Sequence, residues 1–316
     1  KANRAELEAA LAEVLLERLA VLRDDASQAR ALSAYADHAR YLACSFTDQI
    51  GIRLFLSIGM YEMARGEFAR AVEAHGAAVK IANKTLGEEH PLTLSAMGHC
   101  AGALKKLGDW AGARELEEDV LRVFCRNGEA HPAAFNAMAN LAATLYLQGD
   151  FAGARLHQEI VFAVYLKRLG EHHLDTIHAM GELAVTLRAL GELASACALY
   201  EQVLSARSAI LGDEHPETIV AMSNLADIHR ALGDPRGARM LQERVLAIHR
   251  KLFGVRHPDT SVVAWNLLMT LSELNDVMAL GELLFSDLFW LSEEEPENLG
   301  IQQRTIRTRV RNTLGL

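Results

Sequence analysis

The hydrophobic residues of this chain recur with the spacing of α-helices, and short polar turns separate the helical stretches. Residues 211–234, LGDEHPETIVAMSNLADIHRALGD, show the pattern clearly. Apolar or small residues stand eleven, eight and seven positions before the turn glycine Gly233, as Met222, Leu225 and Ala226. Offsets of three and four residues place these side chains on one face of a helix. The pattern therefore predicts an amphipathic helix that ends at this glycine.

The same pattern returns along the chain, which makes it the unit of an internal repeat. The turn position is occupied in order by Gly66, Gly108, Gly149, Gly191, Gly233 and Asn275. The steps between these positions are 42, 41, 42, 42 and 42 residues. Five residues after each of the first five turns stands an alanine, where a small side chain lets two helices approach closely. These alanines are Ala71, Ala113, Ala154, Ala196 and Ala238. A second apolar pattern follows each of them, so every copy is predicted to be helix, turn, helix.

Further features make a family resemblance specific. Proline marks the start of the first helix in several copies, an aromatic residue follows three of the turns, and the linker reads LG-x-x-HP-x-T. Together with the core A-x-x-N-L-A, they resemble the tetratricopeptide repeat, and the step of about 42 residues is similar to its kinesin light chain type. The resemblance implies an all-α fold, a right-handed superhelical solenoid of helical hairpins. Leu174, Pro235 and Asn275 depart from the family pattern.

The resemblance covers residues 49–291, about six repeats, and leaves both ends of the chain outside it. Residues 1–48 lack the repeat columns, and we expect an N-terminal helical cap or a degenerate repeat there. Its two helices are predicted at about 4–22 and 27–46, with Ser27 as a helix cap. After a polar break, residues 297–316 are predicted to form a C-terminal capping helix, or one that reaches outward and mediates self-association.

Composition and charge narrow the functional classes. The chain has 316 residues, of which 50% are hydrophobic and 23% charged, enough to bury a large core. A run of about 18 apolar residues, as a membrane span requires, does not occur in the sequence, so we expect a soluble, cytoplasmic protein. The net charge of −9 argues against nucleic acid as the partner. The four scattered cysteines favour reduced thiols.

Stacked hairpins are expected to line a concave groove with their first helices, and such grooves bind peptides. Positions thirteen, ten, nine, six and three before each turn residue share the helix face opposite the packed one. The candidate groove residues are Arg53, His99, Lys105, Asn136, Asn140, Tyr146, Arg188, Asn224, Asp227, Arg230, Trp265 and Asn266. Tyr146 and Trp265 are the expected aromatic contact anchors.

Two of these columns suggest the kind of ligand. Three of the six residues nine before the turn are asparagine, and a carboxamide can hold a peptide backbone through its donor and its acceptor. The resemblance implies the same role; alternatively, these asparagines satisfy neighbouring helix carbonyls. Four cations and two acids give the groove a charge of +2, which favours an acidic peptide. The alternative is that the long basic side chains are merely solvated.

The sequence offers little evidence for catalysis or for a bound metal. The linker histidines His90, His131, His173, His215 and His257 recur once per repeat, about 10 Å or more apart, too far to share one ion. His172 and His173, beside Glu171 and Asp175, are the one local cluster, and we do not expect it to bind a metal. Zinc-protease, phosphate-loop and nucleophile-elbow motifs are missing from the sequence. We therefore expect no cofactor, no metal and no enzyme.

These observations predict a non-enzymatic adaptor or scaffold that binds a peptide, an acidic one by its charge, in the concave groove. The alternative is a sensor or autoregulatory repeat segment of a larger signalling ATPase or effector protein. The chain lacks an initiator methionine, and repeat arrays of the kind that it resembles often follow an ATPase module. The full-length reading frame would discriminate between the two hypotheses.

Overall fold

The computed structural model describes residues 2–21, 31–126, 132–293 and 301–314, which form two compact units, Lys1–Val161 and Phe162–Leu316. Within these ranges the regular elements are helices, without any strand. The first unit contains α1 (Ala2–Ala20), α2 (Ser33–Ala43), α3 (Gln49–Arg65), α4 (Phe68–Thr85), α5 (Pro91–Leu107), α6 (Trp110–Arg126) and α7 (Pro132–Leu147). Helix α8 (Phe151–Leu169) spans the boundary. The second unit contains α9 (Leu174–Ala189), α10 (Leu193–Leu211), α11 (Pro216–Ala231), α12 (Pro235–Phe253), α13 (Pro258–Glu273), α14 (Val277–Leu283), α15 (Phe289–Glu293) and α16 (Ile301–Leu314).

The helices pair into hairpins at the predicted turn positions, which confirms the all-α repeat fold. Gly233 has a φ of 77°, and Asn275 takes the same left-handed conformation with a φ of 54°. Asparagine tolerates this conformation better than most residues that carry a Cβ, so the last turn forms without a glycine. At the Gly233 turn, the N–H of Asp234 donates to the carbonyl of His229 at 2.8 Å and closes the end of α11.

The linker histidines cap the first helix of four repeats, a role that the sequence analysis did not assign. In each case Nδ1 accepts a hydrogen bond of 3.1–3.2 Å from the backbone N–H two residues later. The four described capping residues are His90, His173, His215 and His257. His131 lies outside the described residues. An N-cap of this kind satisfies one of the backbone donors that a helix leaves unpaired at its start.

Small residues hold the two helices of each hairpin together. The alanines five positions after the turns, from Ala71 to Ala238, are completely buried. Residues eight and seven before the turn are buried in every copy, as Leu225 and Ala226 are in α11. The packing face of each first helix is therefore the one that the apolar spacing predicted.

The N-terminal helices pack onto the first repeat. Leu15 and Leu19 of α1 share a core with Leu54 and Tyr61 of α3. The first helix lies within two residues of its predicted bounds, whereas α2 begins only at Ser33, after a turn, and not at residue 27. The buried face of α2, with Ala36 and Ala39, lies entirely after this turn, which explains the later start. Ser27, the predicted cap, lies outside the described residues.

The C-terminal helix α16 packs over the last repeat. Its Ile306 and Val310 are buried in one cluster with Leu268 of α13 and Leu288. Between α14 and α15 the helix widens into a π-helical turn over residues 284–288, where the buried Asp287 pairs with Arg250 of α12. Among the helices of the described ranges, none is both long and apolar enough to cross a membrane.

Candidate functional site

We use the term groove face for the positions thirteen, ten, nine, six and three before each turn residue on the first helices α3, α5, α7, α9, α11 and α13. These positions are exposed or half-buried, with three exceptions: Leu56, Gly181 and Trp265. The contrast with the buried packing positions follows from the helical period alone. The groove face of each unit is therefore accessible to a ligand.

In the first unit, groove-face residues of two repeats line one recess of 810 Å³. Arg53 and Ser57 of α3 meet Ser95 and His99 of α5 there, so the structure brings together two of the predicted site residues, Arg53 and His99. Helix α1 forms the remaining wall and contributes Glu13, among other residues. The sequence analysis assigned no groove role to α1, because its residues lack the repeat columns.

Ion pairs balance the predicted basic residues of the first unit. Arg53 pairs with Glu13 of α1 at 3.0 Å, and both side chains are about half exposed. Lys105 pairs at 2.9 Å with Glu117 of α6, and Glu117 is only 4% exposed. A buried carboxylate needs such a partner, since burial of an unpaired charge is costly. Part of the positive charge that the sequence assigned to the groove therefore compensates acids of the protein itself.

In the second unit, only one of the two predicted arginines is paired. Arg230 of α11 binds both carboxylate oxygens of Glu273 on α13, and this hydrogen bonding raises the pKa of its guanidinium. Arg188 of α9 is half-buried and forms no ion pair with any residue that the structure describes. Asp227 and Glu182 are exposed on the same face. Arg188 thus remains available to a carboxylate that comes from outside the chain.

The asparagines nine before the turn lie on the groove face, and their side chains have no hydrogen-bond partner among the described residues. Asn140 and Asn266 are exposed and Asn224 is half-buried. Their carboxamides make no hydrogen bond with a described residue, so they do not satisfy neighbouring helix carbonyls. Asn136, also predicted, is exposed one turn earlier on α7. Three carboxamides with unused donors and acceptors therefore face outward at equivalent positions.

The two predicted aromatic anchors are engaged by the protein. Tyr146 is half-buried, and its ring centroid lies 5.2 Å from that of Phe151. Trp265 is 8% exposed, and the guanidinium of Arg309 on α16 lies 5.7 Å from its ring centroid. The indole therefore packs against the C-terminal helix, in one cluster with Ile306 and Val310 of α16.

A buried histidine lies directly behind the groove face of the first unit. His75 of α4 is 1% exposed and stacks on the groove residue His99 with ring centroids 5.5 Å apart. Burial and the neighbouring His99 lower the pKa of His75 to about 4, so its ring is neutral at pH 7. A Cβ at Gly59 would lie 2.2 Å from this ring. The sequence signal for this arrangement is a glycine seven before the turn, where four of the other five copies have alanine.

The local cluster that the sequence analysis considered for a metal has another role. His173 caps α9 through Nδ1, and the side chain of His172 is 82% exposed beside Glu171, 3.5 Å away. The other described linker histidines use Nδ1 in the same way, so a structural role accounts for their recurrence.

Comparisons with known proteins agree with this geometry. Two models described as tetratricopeptide repeat match the chain, one over residues 52–126 and 175–251, the other over residues 136–175. The comparison with curated proteins finds no match.

Among solved structures, similar folds occur in kinesin light chain-type proteins. One structure contains the TPR-like repeats of such a protein from Podosopora anserina, which are nearly identical to one another. Its sequence is 29% identical to this chain, and the TM-score is 0.58. That match covers 63% of this chain and 95% of the other. BtubC (BKLC) from P. vanneervenii is 18% identical over 78% of this chain and 92% of its own, with a TM-score of 0.59.

The quorum sensor NprR from B. thuringiensis has a TM-score of 0.67 to this chain. The match covers 96% of this chain and 82% of that one, at 11% identity. At this level of identity, as for BtubC, the likeness concerns the fold alone.

Proposed function

This chain belongs to the tetratricopeptide repeat family, with repeats of the kinesin light chain type, and we propose that it binds a peptide on its groove face as a non-enzymatic adaptor or scaffold. The observation that carries the proposal is the pair of carboxamides of Asn224 and Asn266 on the groove face of the second unit, which bond to no described residue. A protein-interaction module of this kind is consistent with the cytoplasmic location that we infer.

The carboxamides suit the backbone of an extended peptide. Each offers an acceptor oxygen and two N–H donors, which match the alternating N–H and C=O groups of a peptide in extended conformation. Asn224 and Asn266 occupy equivalent places on α11 and α13, one repeat apart. Contacts of this type involve only the backbone of the peptide and do not depend on its side chains. Specificity must therefore come from other groove-face residues.

Arg188 is the residue that we propose for specificity. Its guanidinium is half-buried and unpaired among the described residues, whereas Arg230 is already bound to Glu273. A guanidinium binds a carboxylate through two parallel hydrogen bonds. We therefore infer a ligand that carries a carboxylate at the position facing α9. The exposed acids Glu182 and Asp227 oppose a ligand that is acidic along its whole length.

The same face favours binding over catalysis. Its charged side chains Arg53, Lys105 and Arg230 form ion pairs between helices, and the described linker histidines serve as helix caps. These groups therefore have structural partners that account for them. We infer that the module changes its ligand's location or assembly and not its covalent structure.

A peptide selection followed by matched substitutions tests the proposal. Peptides selected from a random displayed library against the full chain should bind it with a 1:1 stoichiometry in calorimetry. The double variant Asn224→Ala, Asn266→Ala should bind at least tenfold more weakly, with an unchanged melting temperature, because the two carboxamides bond to nothing within the described chain. Asn83→Ala, on the exposed face of α4, is the control and should bind normally. Equal affinity of the double variant and the control would refute the proposed surface.

Arg188→Glu tests the carboxylate separately. The substitution reverses the charge without breaking an internal ion pair, so it should abolish binding of carboxylate-bearing peptides and leave the thermal stability unchanged. Arg230→Glu is less informative, because it also opposes Glu273 and should lower stability. Selected peptides that lack any carboxylate, or that bind Arg188→Glu as tightly as the natural chain, would contradict this part of the proposal.

A further inference from the structure

Three of the six repeats share an ion pair on their second helix, and the repeat that contains α10 keeps only its acidic residue. Six residues after the turn stands an arginine, and ten residues after it a glutamate, joined by a hydrogen bond of 2.7 Å. These pairs are Arg114–Glu118, Arg155–Glu159 and Arg239–Glu243. In α10 the glutamate is kept as Glu201, but Cys197 occupies the place of the arginine.

The missing arginine would have had a second acidic partner. Arg239 also binds Asp276, the residue after the next turn, at 2.8 Å. The residue equivalent to Asp276 in the repeat after α10 is Asp234, and it lies close enough to Cys197 to raise the pKa of the thiol, after burial and Glu201. Two carboxylates are thus kept at this junction, without the cation that balances them elsewhere.

A second substitution brings an imidazole to the same place. Four residues before the turn, four of the other five repeats carry leucine, at Leu104, Leu145, Leu187 and Leu271. In α11 this position is His229, whose Nδ1 lies 2.9 Å from Oδ2 of Asp234. The other carboxylate oxygen of Asp234 accepts the N–H of Gly237 at the start of α12, which fixes the carboxylate.

The result is a cluster of three metal-ligating side chains of different types. A ring nitrogen of His229, the sulfur of Cys197 and a carboxylate oxygen of Glu201 lie within 4.8 Å of one another. Cys197 and Glu201 are one helical turn apart on α10, while His229 comes from α11. The side chain of His229 is 21% exposed and Glu201 is exposed, so an ion can reach the cluster from solvent.

We propose that Cys197, Glu201 and His229 bind a divalent transition metal of the Zn²⁺ type at the junction of α10 and α11, with Asp234 as the residue that positions His229. The proposal concerns a site away from the groove face and does not depend on peptide binding.

The chemistry of the three ligands fits zinc. Thiolate, imidazole and carboxylate are its common protein ligands, at about 2.3, 2.0 and 2.1 Å, and three of them leave a fourth tetrahedral position for water. In such a site the sulfur and carboxylate oxygen are about 3.6 Å apart. Here they are 4.0 Å apart, a difference that a small rotation of the exposed Glu201 removes. A carboxylate on one ring nitrogen commonly orients a histidine that binds a metal through the other. Asp234 contacts Nδ1 of His229, so the proposal assigns Nε2 to the ion.

The charge balance also fits. A divalent ion with the Cys197 thiolate, Glu201 and Asp234 has the same net charge as Arg239 with Glu243 and Asp276 in the following repeat. The metal would therefore replace the guanidinium at this one junction, which explains why the arginine is lost while both acids are kept. The ion would join α10 to α11. In the same way, the ion pair between Arg239 and Asp276 joins α12 to the start of α14.

Cobalt provides a direct test, because a Co²⁺–thiolate bond gives a charge-transfer absorption that carboxylates and histidines alone do not give. The full chain, freed of metal with a chelator, should bind one equivalent of Co²⁺ with this band, and Zn²⁺ should displace it. Cys197→Ser and His229→Leu should each lose the band. Cys125→Ser, at an exposed cysteine on α6, is the matched control and should retain it. A natural chain without the band, or a Cys197→Ser variant that keeps it, would overturn the proposal.

A second variant separates metal binding from folding. Cys197→Arg restores the ion pair that the other repeats use, so it should fold, have a melting temperature at least equal to that of the metal-free natural chain, and bind no metal here. Zn²⁺ should raise the melting temperature of the natural chain but not of Cys197→Arg. An equal rise in both proteins would show that Zn²⁺ acts at other residues and would refute the assignment.

Discussion

Acidification should destabilise the first unit through His75, the buried histidine behind the groove residue His99. The ring is 1% exposed and fills the space that Gly59 leaves on α3, so it cannot gain water when it is protonated. Its pKa is about 4 in the folded protein, compared with about 6.5 in an unfolded chain. The unfolded state therefore binds the proton more readily than the folded state does.

The magnitude follows from the difference between these two pKa values. Each pKa unit corresponds to about 1.4 kcal/mol, so the full effect is about 3 kcal/mol. The contribution of His75 to the free energy of unfolding is fully present above about pH 6.5, the pKa of the unfolded chain, and it is lost as the pH falls through 4. At pH 4.5 the loss relative to pH 7 should already be about 2.5 kcal/mol.

Urea unfolding at pH 7.0, 5.5 and 4.5 measures the effect when the natural chain is compared with His75→Gln, which cannot titrate in this range. Between pH 7.0 and 4.5, the free energy of unfolding should fall by about 2.5 kcal/mol less in the variant than in the natural chain. His38→Gln, at an exposed histidine on α2, is the control and should follow the natural chain. If His75→Gln loses as much stability on acidification as the natural chain, the reasoning from burial is wrong.

Three further predictions concern the helix ends and the C-terminal helix. His257→Ala should lower the free energy of unfolding by about 1 kcal/mol, and His257→Asn should recover most of this in urea unfolding, because asparagine can also cap α13; equal losses would contradict a capping role. Asn275→Ala should destabilise by about 1 kcal/mol, since alanine adopts the left-handed conformation less readily, and an unchanged melting temperature would oppose this. Trp265→Ala should cost about 3–5 kcal/mol and increase hydrogen exchange in α16, and unchanged exchange there would show that the indole does not hold that helix.

The repeat architecture could be predicted from the sequence because its determinants are local. The turn glycines, the alanines that follow them and the apolar faces depend on residues within one hairpin, so their spacing is visible along the chain. Asn275 could be assigned to a turn from its position in the series, and the structure shows it in the left-handed conformation. The start of α2 was wrong by six residues, because its boundary depends on packing against α1 and α3 and not on a repeat.

The properties of the groove face were harder to predict, because they depend on residues far apart in sequence. Arg53 is forty residues from Glu13, and Arg230 is forty-three residues from Glu273, so a count of charges along one column could not show that both arginines are paired. Trp265 shares a column with the exposed residues Gly98 and Ala139, yet it packs in one cluster with residues of α16. In each case a neighbouring helix supplies the partner.

The same limit applies to the proposed metal cluster. Cys197 and His229 lie in different repeats, and neither belongs to a recognisable ligand motif. Their proximity follows only when α10 packs against α11, which is why the sequence predicted no metal. The internal repeats nevertheless contain a usable signal, since the loss of a recurrent arginine beside two retained acids could be noticed by aligning the copies with one another.

The glycines that follow α10 and α12 make the repeat exchangeable as a block. Gly212 and Gly254 have the same backbone conformation, with φ and ψ of 83° and 163° in one and 84° and 165° in the other. Each is followed after three residues by a capping histidine. Deleting residues 212–253 would therefore join Leu211 to Gly254 without a new local conformation. Removal or duplication of this block would change the array by one whole repeat. The groove face would then lose or gain one first helix.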